Sequence, residues 1–146
     1  MKLNQLSIFL ENRPGSLSTP CRILANSGIN LITLSLADTR EFGILRVVVR
    51  DWQRAKQTLE ERGCVVAVTE VVAVEVPDRP GGLADLLEVF ERNAINLDYM
   101  YAFTEKQENR SLLVFRFANP DAALQALANA NVHVVDEVEL FRRLES

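Results

Sequence analysis

An arginine–proline–glycine triplet occurs twice in the chain, each time directly after an alternating apolar run. It stands as Arg13-Pro14-Gly15 within ENRPGSL and as Arg79-Pro80-Gly81 within PDRPGGL. Shifting the sequence by 66 positions lays one triplet on the other, together with Ile29-Asn30-Leu31 on Ile95-Asn96-Leu97. The same shift pairs Leu6, Ile8 and Leu10 with Val72, Val74 and Val76, and Leu17, Cys21 and Leu24 with Leu83, Leu87 and Phe90. Past the middle the shift becomes 68, so that Ala55 and Leu59 meet Ala123 and Leu127. Such an ordered series is a tandem duplication with a two-residue insertion. Whatever fold the chain adopts must therefore fit into half its length.

Each half reads as six elements. In the first, Leu6, Ile8 and Leu10 alternate at period two, a strand with one buried face. Arg-Pro-Gly breaks it, because proline lacks a backbone donor and glycine permits unusual dihedrals. Leu17, Cys21 and Leu24 recur at helical spacing, and Gly28 suits a left-handed cap after that helix. A strand from Ile29 to about Ala37, a turn through 38–43 and a strand over Ile44–Val49 follow. Asp51 fits the N-cap of a helix at Trp52–Arg62, ended by Gly63 and followed by a short strand, Cys64–Val68. The second half repeats the order at Val71–Val76, Gly82–Asn93, Ile95–Thr104, Leu112–Phe117, Asp121–Ala130 and Val132–Val135. A tail at Asp136–Glu145 reads as one short helix with Val138, Phe141 and Leu144 on one stripe.

The order strand–helix–strand–strand–helix–strand predicts an α+β fold of two ferredoxin-like βαββαβ units. Each is expected to hold a four-stranded antiparallel sheet with both helices on one face. The domains predicted are residues 1–69 and 70–146, without a linker, since Val68-Thr69-Glu70-Val71 runs from strand into strand. Pro20 strains the first helix, because proline inside a helix costs about 3 kcal/mol. Thr19 as N-cap with Pro20 at the first helical position would relieve it. The two Arg-Pro-Gly loops are then expected to differ in shape.

A ferredoxin-like unit with (N/D)RPG(S/G)L after its first strand and (G/A)INL opening its second resembles the ACT domain, a small regulatory module. The likeness spans nearly the whole chain twice and is similar to the stand-alone tandem ACT proteins. INLITLSLADTREFGILRVVV, AVEVPDRPGGLADLLEVF and INLDYMYAF carry it. The resemblance implies an amino-acid-binding regulatory protein that senses a free amino acid where two ACT domains meet. With no Ser/His/Asp set, phosphate-cradling glycine loop or metal spacing, neither catalysis nor a cofactor is expected. One domain would supply the loop and its neighbour the start of the second strand. The nominated ligand-binding residues are thus Asn12, Arg13, Pro14, Gly15, Ser16 and Leu17, and Asp78, Arg79, Pro80, Gly81, Gly82 and Leu83. Asn30, Leu31, Asn96 and Leu97 would form the opposing walls. The resemblance also implies side-by-side association, hence a homodimer, and control of a metabolic enzyme or regulator.

The residues give that site a physical basis. Each loop delivers a helix N-terminus, where unpaired N–H groups and the dipole favour a carboxylate. Asp78 would receive a ligand ammonium with full charge where Asn12 offers a dipole, and Gly81-Gly82 leaves an open backbone. The second loop is therefore the expected better clamp. The competing reading makes Pro-Gly an ordinary turn and Asn30 and Asn96 turn caps, in a structural dimerisation or docking module without a ligand. Tyr99, Met100 and Tyr101 read as a strand filling the sheet rather than as a recognition strip.

Composition removes other classes. The net charge is −4, made of +3 up to Thr69 and −7 beyond it. That balance opposes nucleic-acid binding, which needs clustered Lys and Arg. Phe115 and Phe117 alternate as an RNA platform would, but on the acidic half. No apolar run has membrane length and no signal peptide is evident, which predicts a cytoplasmic protein. Cys21 and Cys64 form neither a disulfide framework nor a metal motif, and His133 is the only histidine, so no metal site is expected. Asp38, Asp85 and Glu88 read as solvated charges rather than acid–base groups, since no catalytic constellation accompanies them.

Overall fold

The computed structural model describes residues 1–38, 41–103 and 109–145, the last two by backbone alone. The strands are β1 (Leu3–Glu11), β2 (Thr33–Asp38), β3 (Phe42–Val48), β4 (Val65–Pro77), β5 (Leu97–Ala102), β6 (Arg110–Phe117) and β7 (Val134–Val135). The helices are α1 (Ser18–Asn26), α2 (Trp52–Glu61), α3 (Gly82–Arg92), α4 (Pro120–Asn129) and α5 (Glu137–Glu145). The expected turn at positions 39–40, the strand end at Thr104 and the side chain of Leu144 lie outside the described residues. The chain divides into two compact units. The first is Asn4–Thr69; the second joins Met1–Leu3 to Glu70–Ser146. Lys2 belongs with the second, its Nζ lying 3.0 Å from Asp121 and 3.8 Å from Glu70.

The α+β, ferredoxin-like character holds, with one correction to the strand count. The expectation of two separate four-stranded sheets counts eight strands. Seven are present among the described residues, because the runs at Cys64–Val68 and Val71–Val76 form one continuous 13-residue strand. In the first unit the order is β2-β3-β1-β4, with β1 and β2 antiparallel to β3 through Leu6↔Val47 and Leu34↔Val47. In the second, β4 lies between β7 and β6, and β5 flanks β6. Nothing in Val68-Thr69-Glu70-Val71 breaks a strand, since no proline or glycine interrupts it.

Alternation sets each core. Leu6, Ile8, Leu45 and Val47 meet Leu24, Ala55 and Leu59 in the first unit. Val72, Val74, Leu113, Phe115 and Phe117 meet Leu86, Phe90, Ala123 and Leu127 in the second. Phe90 stands edge-on to Phe115 and Phe117, with centroids 5.3 and 5.1 Å away, an arrangement the aromatic quadrupole favours. Helix boundaries follow capping chemistry. Asp51 accepts from the Arg54 N–H at 3.3 Å as expected. Asn119, not foreseen, does the same for Ala122 at 3.2 Å. Ile29 is buried in the first core, yet β2 starts only at Thr33, later than predicted.

The tail helix forms at Glu137–Glu145, with one change in which residues it buries. Leu140 is fully buried and Phe141 half-buried, whereas Val138 is 66% exposed, so Val138 does not belong to the buried side as expected. Asp136 sets the phase by accepting from the Glu139 N–H through its side chain and from Leu140 through its carbonyl.

Candidate functional site

Both Arg-Pro-Gly loops close with the same four backbone hydrogen bonds. In the first, the N–H groups of Asn12, Arg13, Ser16 and Thr19 donate to Glu41, Glu11, Arg13 and Gly15. In the second, those of Asp78, Arg79, Gly82 and Asp85 donate to Asn109, Pro77, Arg79 and Gly81. Gly15 and Gly81 both take a left-handed φ, +90° and +86°, which glycine alone adopts without strain. The expectation of differing loop shapes is thus corrected at the level of the backbone bonds. Pro20 does not disturb them, because α1 starts at Ser18 behind Leu17 and Pro20 falls in its first turn. No intrahelical bond is lost there. Thr19 is accordingly not the N-cap; its hydroxyl donates to the Gly15 carbonyl at 2.9 Å.

The loops differ in their side chains. Arg13 turns back to Glu11, with Nε 3.1 Å from the carboxylate. Arg79 folds over its own loop, donating to Asp85 at 3.2 Å and to the Pro80 carbonyl at 3.3 Å. Gly82 is buried where Ser16 is half-buried. At the nominated walls, Asn30 and Asn96 are exposed, whereas Leu31 and Leu97 pack against the core of their own unit. Tyr99 and Tyr101 lie opposite Arg116 and Val114, while Met100, opposite Phe115, packs on the core. The three therefore do not share a face.

The second loop borders a cleft of its own. A hollow of about 660 Å³ takes in Pro77, Arg79 and Gly82, the side of α3 and the turn at 130–133. Its lining includes Val76, Leu86, Val89 and Val132 as apolar surface and Glu75, Arg92 and Arg110 as charges. Of the nominated loop residues, Arg79 and Gly82 reach it; Asp78, Pro80, Gly81 and Leu83 do not line it. A hollow of about 710 Å³ beside α1 is lined by Ser18, Thr19, Arg22 and Arg62 among others, and by none of Asn12–Leu17.

Sequence reasoning missed Glu75, although it interrupts the apolar run Val71–Val76. An acid in such a run needs a partner. Its side chain is only 10% exposed and meets two cations, Arg110 Nε at 3.2 Å and Arg143 Nη1 at 2.6 Å. Arg143, on α5, also meets Glu139, whose carboxylate lies 2.8 Å from His133 Nε2. Burial alone would raise the Glu139 carboxyl, but His133 and Arg143 outweigh it and hold it below the ordinary value. Glu75, His133 and Glu139 bring potential ligand atoms within 4.8 Å of one another. The guanidinium of Arg143 already bridges both carboxylates, which makes this an ion-pair cluster rather than a cation cradle.

At the equivalent positions the first unit carries Phe9, Phe42 and Val65, all exposed. Cys21 and Cys64 are free and half-buried, and burial pushes the Cys64 thiol up. Among the described residues no helix is long and apolar enough to cross a membrane.

Comparison with known proteins agrees with this architecture. The family model of an ACT domain pair matches residues 1–144. A solved protein of Bacteroides thetaiotaomicron is similar at 34% identity and a TM-score of 0.90, over 97% of this chain and 96% of that one. The regulatory subunit of aspartate kinase from Thermus thermophilus is similar at 18% identity and a TM-score of 0.62, over 87% and 91%. No curated protein matches. With a duplicated Arg-Pro-Gly loop on a duplicated ferredoxin-like frame, and a family match over both copies, the chain belongs to the ACT domain family as a tandem pair.

Proposed function

We propose that this protein is an amino-acid-responsive regulator without catalytic activity of its own, and that the Asp78–Leu83 loop is its principal ligand clamp. The observation that carries the reading is the cleft that Arg79 and Gly82 of that loop line, which offers apolar surface and both signs of charge; Asp78 stands on the same loop outside that lining. A zwitterion with a hydrocarbon side chain is the ligand class such a lining suits. Asp78 is the expected ammonium partner at the loop, with Asn30 or Asn96 of a neighbouring ACT domain closing the site. The fold is shared with the regulatory subunit of an aspartate kinase, which makes an enzyme one partner class for this protein. A metabolic enzyme or regulator in the cytoplasm is the partner we infer.

We further propose that two copies associate. Edge strand β2 leaves Leu34 and Leu36 exposed, and uncovered edges are a liability that pairing removes. Light scattering that gave the monomer mass with and without ligand would overturn this.

Thermal unfolding with each common amino acid in turn tests the main reading. A ligand at about 100 times its dissociation constant stabilises by about 2.7 kcal/mol. A rise confined to one amino acid or a few related ones is expected. Flat melting temperatures across the panel would favour the alternative, a docking module without a ligand. Once a ligand is found, Asp78→Ala should weaken binding by about 1.5–3 kcal/mol and Asn12→Ala by less. The reverse order would place the clamp at the first loop.

A further inference from the structure

Glu75 is unusual in this chain: a charge nine-tenths buried that also forms part of a cleft wall. Its two oxygens are held unequally. Arg143 grips Oε2 at 2.6 Å and is itself only 24% exposed, tied down by a second bond to Glu139. Arg110 reaches Oε1 at 3.2 Å from a side chain 56% exposed. An exposed, single, longer contact of this kind contributes little to stability. One oxygen of Glu75 is therefore fixed in orientation, and the other is held by a cation that can move without breaking the fold. Arg110 also lines the cleft.

From this arrangement we infer that Glu75 is the ammonium receptor for a free α-amino acid with an aliphatic side chain, bound within the second unit. The inference rests on the amino-acid-sensing reading and moves its charge anchor from Asp78 to Glu75. The ligand ammonium replaces Arg110 on Oε1, and the released guanidinium pairs with the ligand carboxylate. Ion pairs are exchanged one for one, so no charge is left buried without a partner. The fork of a guanidinium suits a carboxylate bidentately. Arg143 is a positioning residue here, holding the Glu75 carboxylate through its other oxygen.

Selectivity follows from the apolar part of the lining. Val76, Leu86 and Val89 belong to the buried core of the second unit, and Val132 packs against it. An aliphatic side chain laid there gains about 25 cal/mol for each Å² of apolar surface it removes from water. A charged side chain would meet Arg79, Asp85, Glu88 and Arg92 only where they are exposed, and ion pairs there contribute little. The first unit cannot form such a site, because Phe9 and Phe42 stand where Glu75 and Arg110 do.

Calorimetry on the full chain, titrated with alanine, valine, leucine, isoleucine, glutamate and phenylalanine, tests the inference. The expected result is binding by one or more of the four aliphatic acids, weakened at least about tenfold in Glu75→Gln, the loss of a charged hydrogen bond. Arg110→Gln should weaken it similarly; that residue is exposed, and the variant should melt close to the parent. Aliphatic binding that survives both substitutions but fails in Asp78→Ala would overturn the Glu75 assignment while leaving amino-acid sensing intact. Preference for glutamate would overturn the aliphatic pocket. No binding by any of the six would overturn this inference, and the sensing reading falls with it only if melting temperatures also stay flat across all the common amino acids.

Discussion

Gly82 packs so tightly against Pro77 that a Cβ built on it would lie 2.2 Å from the Pro77 carbonyl oxygen. The first loop has Ser16 at that position and forms its equivalent turn bond at 3.2 Å rather than 3.0 Å. The second loop is the tighter copy of one design. Alanine is the better helix former by about 1 kcal/mol, yet overpacking against fixed backbone costs about 1–3 kcal/mol. Gly82→Ala is therefore expected to destabilise the protein, while Ser16→Ala stays near neutral. Urea denaturation of the two variants checks the contrast, and equal midpoints would refute it.

Ala94 takes a left-handed φ of +54° at the position where the first unit has Gly28 at +72°. A Cβ in that conformation costs about 1–2 kcal/mol, partly offset by the greater freedom of glycine in the unfolded chain. Ala94→Gly should then stabilise by about 0.5–1 kcal/mol, and Gly28→Ala should destabilise by a similar amount. Melting temperatures moving in opposite directions are the expected signature.

The three rings of the second core are mutually buttressed, with Phe115 and Phe117 stacked at 5.6 Å and Phe90 edge-on to both. Phe115→Ala removes a fully buried ring and should cost about 3–5 kcal/mol. Chemical denaturation that placed the loss below 1.5 kcal/mol, roughly the value for a volume-conserving swap, would mean the cavity collapses or the packing is loose.

Acid should act on α5. The Glu139 carboxyl is held below its ordinary 4.5, so its ionised form is favoured in the folded chain. Its contribution to stability is thus fully present above about pH 4.5 and fades as pH falls through the lower folded value. Glu139→Gln should be less stable than the parent at neutral pH by about 1 kcal/mol, with the gap closing in acid. A gap that widened on acidification would reverse the sign of the argument.

The periodic parts of this fold were legible because hydrophobic alternation and the repeat offset report them directly. Leu6, Ile8, Val72 and Val74 are core residues as read. That Val68-Thr69-Glu70-Val71 runs from strand into strand was legible too. That the two runs form a single strand, giving seven among the described residues and not eight, was not, because alternation within each half does not report it. Val138 was misread as a buried position of α5 because it fits helical spacing as well as Leu140 does. What distinguishes them is the phase imposed by the Asp136 cap. At the site, the loops were legible from Arg-Pro-Gly, but the cleft was not. Glu75, Arg110 and His133 lie far apart in sequence and meet only through β4, β6 and the turn before β7.

The difference between Phe9, Phe42 and Val65 in one unit and Glu75, Arg110 and His133 in the other also sets the order in which such a cluster can be built onto this frame. An arginine arriving first on an exposed position costs almost nothing, since it can stay in water. A glutamate arriving first at a nine-tenths buried position would leave a charge uncompensated, at several kcal/mol. In a marginally stable domain such an intermediate would be lost. The acid therefore depends on Arg143, which cannot be surrendered while Glu75 remains, whereas the exposed Arg110 can be.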